Sequence, residues 1–319
     1  LFRSEKWNGK IDTVSKAEVN SREDLALAYT PVVAEPCKVI AENPDAAYKY
    51  TIKANTVAVV SDGSAVLGLG NIGPLAAMPV MEGKAVLFKE FGGVNAFPIC
   101  LDTQDTDEII ETVVRIAPAF GGINLEDISA PRCFEIEERL KELLDIPVFH
   151  DDQHGTAIVV LAGIINALKV TGKTREDCRV VVNGAGSAGI AISKLLLTYG
   201  FRNVMLCDKA GILARGMDGL NWMQEKMMEV TNLEGKRGTL ADALKGADIF
   251  VGVSAPGIVS AEMVSSMNRD AILFAMANPV PEIMPDIAKA AGARVVGTGR
   301  SRSEEQTSEL QSPMFIAYA

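Results

Sequence analysis

The sequence predicts a two-domain α/β protein whose second half is a Rossmann-like, doubly wound parallel sheet. Three observations predict it. Short β-branched runs alternate with helix-like stretches through both halves, the pattern of strand–helix–strand crossovers in a parallel sheet. In the second half, Arg179-Val180-Val181-Val182-Asn183 runs directly into Gly184-Ala185-Gly186-Ser187-Ala188-Gly189, which opens a helix. Asp208 then closes the next strand about 20 residues on, the spacing of a dinucleotide-binding turn and its ribose-contacting acid. Third, 319 residues with 48% apolar and 23% charged side chains are enough for two cores of ordinary globular composition.

In the first half, 22–29 reads as a short helix stopped by Thr30-Pro31, with Tyr29 at its end. Residues 56–60 form a strand, 61–64 supply a hairpin turn, and 65–69 return beside the first strand. A glycine-dense loop over 68–74 leads to Met81-Glu82-Gly83-Lys84 and a strand at 85–88. The strand at 97–101 feeds a helix over about 105–117. Residues 121–127 read as a buried strand ending in acids, followed by a helix at 133–144 and a strand at 148–150. The second half opens with an apolar helix at 156–170 and a polar linker at 171–177. Strands at 179–183, 204–207, 249–253, 271–276 and 294–296 come next, with a helix at 190–199 after the first.

A net charge of −10 argues against nucleic-acid binding and against an anionic membrane surface. The five cysteines are odd in number, widely spaced and without a CxxC, which fits reduced thiols and a cytoplasmic location. The charged N-terminus does not read as a signal peptide, and the longest uncharged apolar segment, 157–168, is too short to span a bilayer.

Two pairs of acids stand out. Asp151 and Asp152 lie between the chain's two histidines, His150 and His154, where a strand meets a helix. They present oxygen ligands to a cation, or they are a solvated loop with an Asp N-cap. Glu126 and Asp127 close a strand one crossover earlier, about 25 residues back. The two strand ends can therefore be neighbours at one edge of a sheet. Adjacent strand residues point to opposite faces, so Glu126 and Asp127 share an ion only where the pleat breaks down. Carboxylates without a Cys or paired-His spacing favour Mg²⁺ or Mn²⁺ over zinc; the alternative is four solvated acids. Gly184, Ala185, Gly186, Ser187, Ala188 and Gly189 are candidates to cradle a pyrophosphate at a helix N-terminus, with Asp208 on the adenosine ribose. The alternative is a tight strand–helix turn with a surface Asp. An acid at 208 leans toward NAD, while Lys209 and Arg215 keep NADP possible. Lys84, between a glycine and an apolar run, is a candidate general base. Tyr29 is a candidate proton donor or a packing residue. Asn278 places an amide at a strand's C-terminal end, on the usual ligand side. His150 and His154 read as supporting rather than ligating residues.

Five motifs in series now resemble one family. Tyr29-Thr30-Pro31, Leu67-Gly68-Leu69-Gly70-Asn71-Ile72-Gly73, Glu82-Gly83-Lys84, Asn124-Leu125-Glu126-Asp127-Ile128 and Phe149-His150-Asp151-Asp152-Gln153-His154-Gly155-Thr156 are similar to bacterial malic enzymes, in order. The resemblance implies a malate- and metal-binding domain of malic-enzyme N-terminal type over 1–157 and an incomplete NAD(P)-binding domain over 158–301. It also implies oxidative decarboxylation of (S)-malate to pyruvate and CO₂, with NAD or NADP and Mg²⁺ or Mn²⁺. Glu126, Asp127 and Asp152 take the place of the metal ligands, Lys84 of the base, and Asp151 of the residue that tunes it. Tyr29 takes the place of the acid that protonates enolpyruvate. Asn278 takes that of the amide on the substrate carboxylate, near the cofactor. A homodimer or higher homo-oligomer is implied, with the first ~60 residues in the contact. The alternatives are a malolactic-type enzyme and an inactive nucleotide-binding fragment.

The sequence also departs from the family. Val32 replaces the usual Gly after Tyr-Thr-Pro, and Ala65 stands where larger eukaryotic members carry a substrate-binding Arg. After Ser301 the family's Asp-Tyr-Pro-Asn-Gln run is missing, and 302–319 reads like a translated sequencing adapter, the mark of a truncated reading frame with a foreign tail.

Overall fold

The computed structural model describes residues 6–66 and 68–299; Leu67, Ser301 and the tail at 302–319 lie outside them. The chain divides into two units. The first takes in the chain up to Val66, Gly70–Ile128 and Ile136–Phe149; the second takes in Leu67–Leu69, Ser129–Glu135 and everything from His150 on.

The first unit begins with α1 (Arg22–Ala28), α2 (Ala34–Glu42) and α3 (Ala47–Tyr50), none of which has a buried residue. Ser21 caps α1 by accepting the Asp24 N–H, and the helix stops before Thr30-Pro31 as expected. The sheet has the order β2-β1-β3-β4, with β1 at Thr56–Ser61, β2 at Asn95–Cys100, β3 at Gly122–Leu125 and β4 at Val148–His150. β1 pairs in parallel with both β2 and β3. The expected hairpin after β1 is therefore wrong: both edges of β1 are already taken, and among the described residues no strand returns beside it. Instead Asp62 Oδ1 accepts the Ser64 N–H and hydroxyl, and Ile72 and Gly73 donate to the Gly63 carbonyl, winding this stretch into turns.

The strand expected at 85–88 is also wrong. It lies inside α4 (Pro74–Gly92), which starts on a proline and ends at Gly93 in the left-handed region. Ala77, Met81 and Ala85 are its buried residues, spaced by four as one helical face demands, and Met81 and Ala85 pack with Val59 and Ala96. Pro79 and Gly83 inside the helix hide that period in the sequence. α5 (Thr106–Ile116) is capped by Asp105 and buries Ile109, Ile110 and Val113. α6 (Arg132–Leu143) precedes β4.

Among the described residues the second unit holds six strands in the order β10-β9-β8-β5-β6-β7. They are β5 (Arg179–Asn183), β6 (Asn203–Asp208), β7 (Gly211–Ile212), β8 (Ile249–Gly252), β9 (Ala271–Ala275) and β10 (Ala293–Thr298). All neighbours are parallel except β7, which turns back on β6. Successive strands build outward from β5 in both directions, so the order switches between β5 and β8, where doubly wound sheets bind ligands. Val181, Phe250 and Leu273 are fully buried on the central strands.

The helices of this unit are α7 (Asp151–Thr171), α8 (Ser187–Tyr199), α9 (Trp222–Met227), α10 (Leu240–Leu244), α11 (Ala261–Ser265) and α12 (Pro285–Ala290). α7 begins five residues before the expected 156, so Asp151 and Asp152 are first-turn helix residues and do not close a strand. Acids there are favoured by the N-terminal end of the helix dipole. The division expected after residue 157 falls inside this helix. Length and composition would let α7 cross a membrane, but it packs along α8 and buries Val160 and Ile164 completely.

Candidate active site

In the first unit the chemistry gathers at the carboxyl end of β3. All four residues of β3 are buried, and the Glu126 N–H extends the ladder to the Val60 carbonyl. Beyond it the pleat breaks: Asp127 has φ 54°, left-handed for a residue with a side chain. That is the condition under which neighbouring acids cease to point to opposite faces. Both are buried, Glu126 at 5% and Asp127 at 2% exposure. Glu126 Oε2 accepts the Asn124 amide at 2.9 Å, while Oε1 lies 3.1 Å from Lys84 Nζ. Lys84 reaches it from α4: three residues beyond Met81 and seven beyond Ala77, it lies on the helix face that packs on the sheet. Lys84 and Glu126, predicted separately, are thus brought together.

Tyr29 is placed differently. It is the C-cap of α1, its side chain is 67% exposed, and it makes no side-chain hydrogen bond among the described residues.

In the second unit, His150 is fully buried and occupies the N-cap of α7 without a side-chain capping bond, so the alternative of an Asp N-cap does not hold. Its Nδ1 stands 3.8 Å from Asp152 Oδ2, beyond hydrogen-bond length. A Cβ on Gly155 would meet the Asp151 carboxylate, so the missing side chain makes room for that acid one turn back. Gln153 on the same turn is buried.

The glycine loop is built as its spacing implies. Gly184 has φ +113°, and a Cβ there would run into the Val253 carbonyl; one on Gly189 would overlap the Gly184 carbonyl. A Cβ on Gly186, by contrast, meets nothing, leaving open the space over the N-terminus of α8 that a pyrophosphate would fill. Ala185 is buried and its carbonyl accepts the Gln224 amide, while Ser187 and Ala188 start the helix. Asp208 ends β6, half-buried, with Oδ1 accepting the Ala210 N–H at 2.8 Å. Beside it, burial and then the Asp208 charge push the Cys207 thiol up to about 12, so it stays protonated. Arg215 donates to the Met228 and Glu229 carbonyls. Asn278 lies just beyond β9, and its Oδ1 is buried with no hydrogen-bond partner among the described residues. A buried amide oxygen left without a donor is what a ligand-contacting residue looks like before its ligand arrives.

Sequence reasoning missed Ser254, just beyond β8, and Glu282, in the loop between β9 and α12. The signal for Glu282 was an acid within an otherwise apolar, proline-punctuated run after Asn278.

Known families match both halves of the chain. The model "Malic enzyme, N-terminal domain" matches residues 8–107 and 103–141, and "Malic enzyme, NAD binding domain" matches 153–301. A NAD-dependent malic enzyme of Geobacillus stearothermophilus is 61% identical over 95% of this chain, which spans 63% of that protein's length. A bifunctional malic/malolactic enzyme of Bacillus subtilis is 58% identical over 95% of the chain and 74% of its own length. The crystal structure of a NAD-dependent malic enzyme from Thermotoga maritima superposes with a TM-score of 0.91 at 53% identity, covering 94% of this chain and 80% of that one.

Proposed function

The chain belongs to the malic enzyme family, and we propose that it oxidises (S)-malate with NAD(P) and decarboxylates it to pyruvate and CO₂ with Mg²⁺ or Mn²⁺. The observation that carries the reading is the Lys84–Glu126 pair at the end of β3, next to a second buried acid.

Glu126, Asp127 and Asp152 would hold the cation, two of them buried and the third half-buried. Their hard oxygen donors suit Mg²⁺ or Mn²⁺. When bound, the cation supplies Lewis-acid polarisation of the C2 oxygen. The open space at Gly186 would receive the pyrophosphate of NAD(P), which would supply the hydride acceptor for C2. Lys84 takes the malate hydroxyl proton, and Asp151 tunes its readiness to do so. Asn278 orients the substrate carboxylate through its amide N–H₂ and offers its Oδ1 to a donor on the cofactor side. Tyr29 delivers the proton to C3 after CO₂ departs. Its exposure, with that of Leu25, Leu27, Tyr48, Tyr50 and Ile52, supports a homodimer in which the first ~60 residues are covered. The free thiols support a cytoplasmic location.

NAD is the preferred cofactor in this reading. Asp208 would repel a 2′-phosphate, and Arg215 is already committed to two backbone carbonyls. A malolactic reaction is the second reading, favoured by the bifunctional Bacillus relative.

Incubation with malate, Mn²⁺ and NAD tests this. Net NADH with pyruvate is expected. Lactate without net NADH would shift the assignment to the malolactic reaction, and NAD-induced thermal stabilisation without turnover would leave only nucleotide binding.

A further inference from the structure

One carboxylate ties together the loops at the carboxyl ends of β5, β8 and β9. Glu282 is fully buried. Its Oε1 accepts the Ser254 backbone N–H at 3.0 Å and lies 3.4 Å from the Ser254 hydroxyl, while its Oε2 accepts the Ala277 N–H at 3.0 Å. The main chain doubles the link: Val259 donates to the Glu282 carbonyl and Gly257 to that of Pro281. The Ser254 hydroxyl also accepts the Asn183 amide at 2.6 Å, and Asn183 is the last residue before the glycine loop. Gly252 has no room for a Cβ, because one would overlap the Glu282 carboxyl.

Burying a carboxylate is costly unless its oxygens are satisfied, and no ion pair is formed by this one among the described residues. What the position demands is two acceptors facing two backbone donors. Leucine offers none, and glutamine offers one acceptor and a competing donor. Asn278 comes directly after Ala277, and its Oδ1 has no hydrogen bond to aim it. The direction of that amide is therefore set by the main chain that carries it, and Glu282 pins that main chain.

We infer that Glu282 is a positioning residue, which holds Ala277 and through it Asn278 in register with Ser254 at the switch between β5 and β8. The inference rests on the proposed role of Asn278 toward malate.

Glu282→Gln in the full chain tests it. The new carbonyl can satisfy Ser254, which turns the –NH₂ toward the Ala277 N–H and frees that segment. The KM for malate is expected to rise about tenfold, the scale of one lost hydrogen bond to a charged group. NADH affinity, read by fluorescence, is expected to change less than about threefold. Glu282→Asp, which keeps both acceptors, should fall between Gln and wild type. In an Asn278→Ala background, Glu282→Gln should raise the malate KM no further, because the residue it acts through is gone. Additive effects, or an unchanged malate KM, would overturn the inference. Amide hydrogen exchange at Ala277 separates the two readings. Faster exchange in Glu282→Gln, in a chain whose wild type does not oxidise malate, removes the proposed activity but leaves the anchor. Unaltered exchange removes the anchor whatever the activity. Should Glu282→Gln fail to fold, Glu282→Asp carries the same comparisons, with exchange at Ala277 and the non-additivity with Asn278→Ala deciding.

Discussion

β3 in the first unit and β5 in the second are alike as strands. Each is parallel to β1 or β6 on one side, lies inside its sheet, and is buried through its last residues. They differ in the residues just beyond the strand. β3 runs into Glu126 and Asp127 and meets Lys84, so its end presents charged side chains. β5 runs into Gly184 and the N-terminus of α8, so its end presents main chain with side chains removed. The difference separates two kinds of site. With the roles proposed above, substitutions at the first are expected to change chemistry and leave the fold; at the second, an added methyl is expected to change the fold or block the ligand.

Lys84→Ala is the strongest way to sharpen that contrast. If it has the proposed role of general base, its removal lowers kcat by about 10²–10⁴-fold while the circular dichroism spectrum stays native. Malate oxidation at the wild-type rate would break the assignment of chemistry to this strand end.

At the second strand end, the outcome should depend on which glycine is filled. Gly189→Ala forces a methyl onto the Gly184 carbonyl and is expected to destabilise by about 1–3 kcal/mol in urea titrations. Gly186→Ala meets nothing in the protein and should stay within about 0.5 kcal/mol of wild type. Its NADH affinity should nonetheless fall. If Gly186→Ala were the destabilising one, the description of an open cradle would be wrong.

An acid at the other end of the same sheet supplies a control. Asp248 precedes β8 and joins Lys173 at 2.6 Å, the Arg179 N–H at 2.9 Å and the Asn268 amide at 3.1 Å. Burial alone would raise its pKa, but the Arg179 N–H, Lys173 and Asn268 together hold it below the ordinary carboxylate value. Its stabilisation is therefore present above its unfolded-state pKa, about 3.9, and is lost as pH falls through the lower folded value. Asp248→Asn should cost about 1–3 kcal/mol at neutral pH and flatten the stability profile below about pH 4, with the malate KM unchanged. A changed KM would mean that acids at both sheet ends serve the ligand.

Asp208→Ser should give the smallest effect. It removes the charge facing a 2′-phosphate and is expected to shift the NADP-to-NAD ratio of kcat/KM by about tenfold toward NADP, with little change in stability. A ratio that stays put would move cofactor choice to other residues, such as Lys209.

Much of this was readable along the chain because it is local. The strand β5, its glycine loop and Asp208 succeed one another within a single turn and crossover, and each of Gly184 and Gly189 has a nearby main-chain reason to be there. The acids after β3 were legible for the same reason: a buried run that ends in charge marks a strand end. Lys84 was identified while its surroundings were misread. A helix containing Pro79 and Gly83 has weak local propensity, and burial of Met81 and Ala85 against Val59 of β1 and Ala96 of β2 overrides it.

By itself, then, the sequence determined the alternation of elements, the parallel class of the sheets, the glycine-rich strand–helix turn and the placing of acids at strand and helix ends, because these rest on side-chain period and on glycine's missing Cβ. Tertiary structure alone decided that β1 pairs with two parallel neighbours instead of folding back, since strand partners are chosen by distant segments competing for the same edges. It also decided that Lys84 stands on a helix within reach of Glu126, and that Glu282 accepts the Ser254 N–H. Those contacts join residues that local pattern leaves unconnected, and only the packing of whole elements brings them within a hydrogen bond.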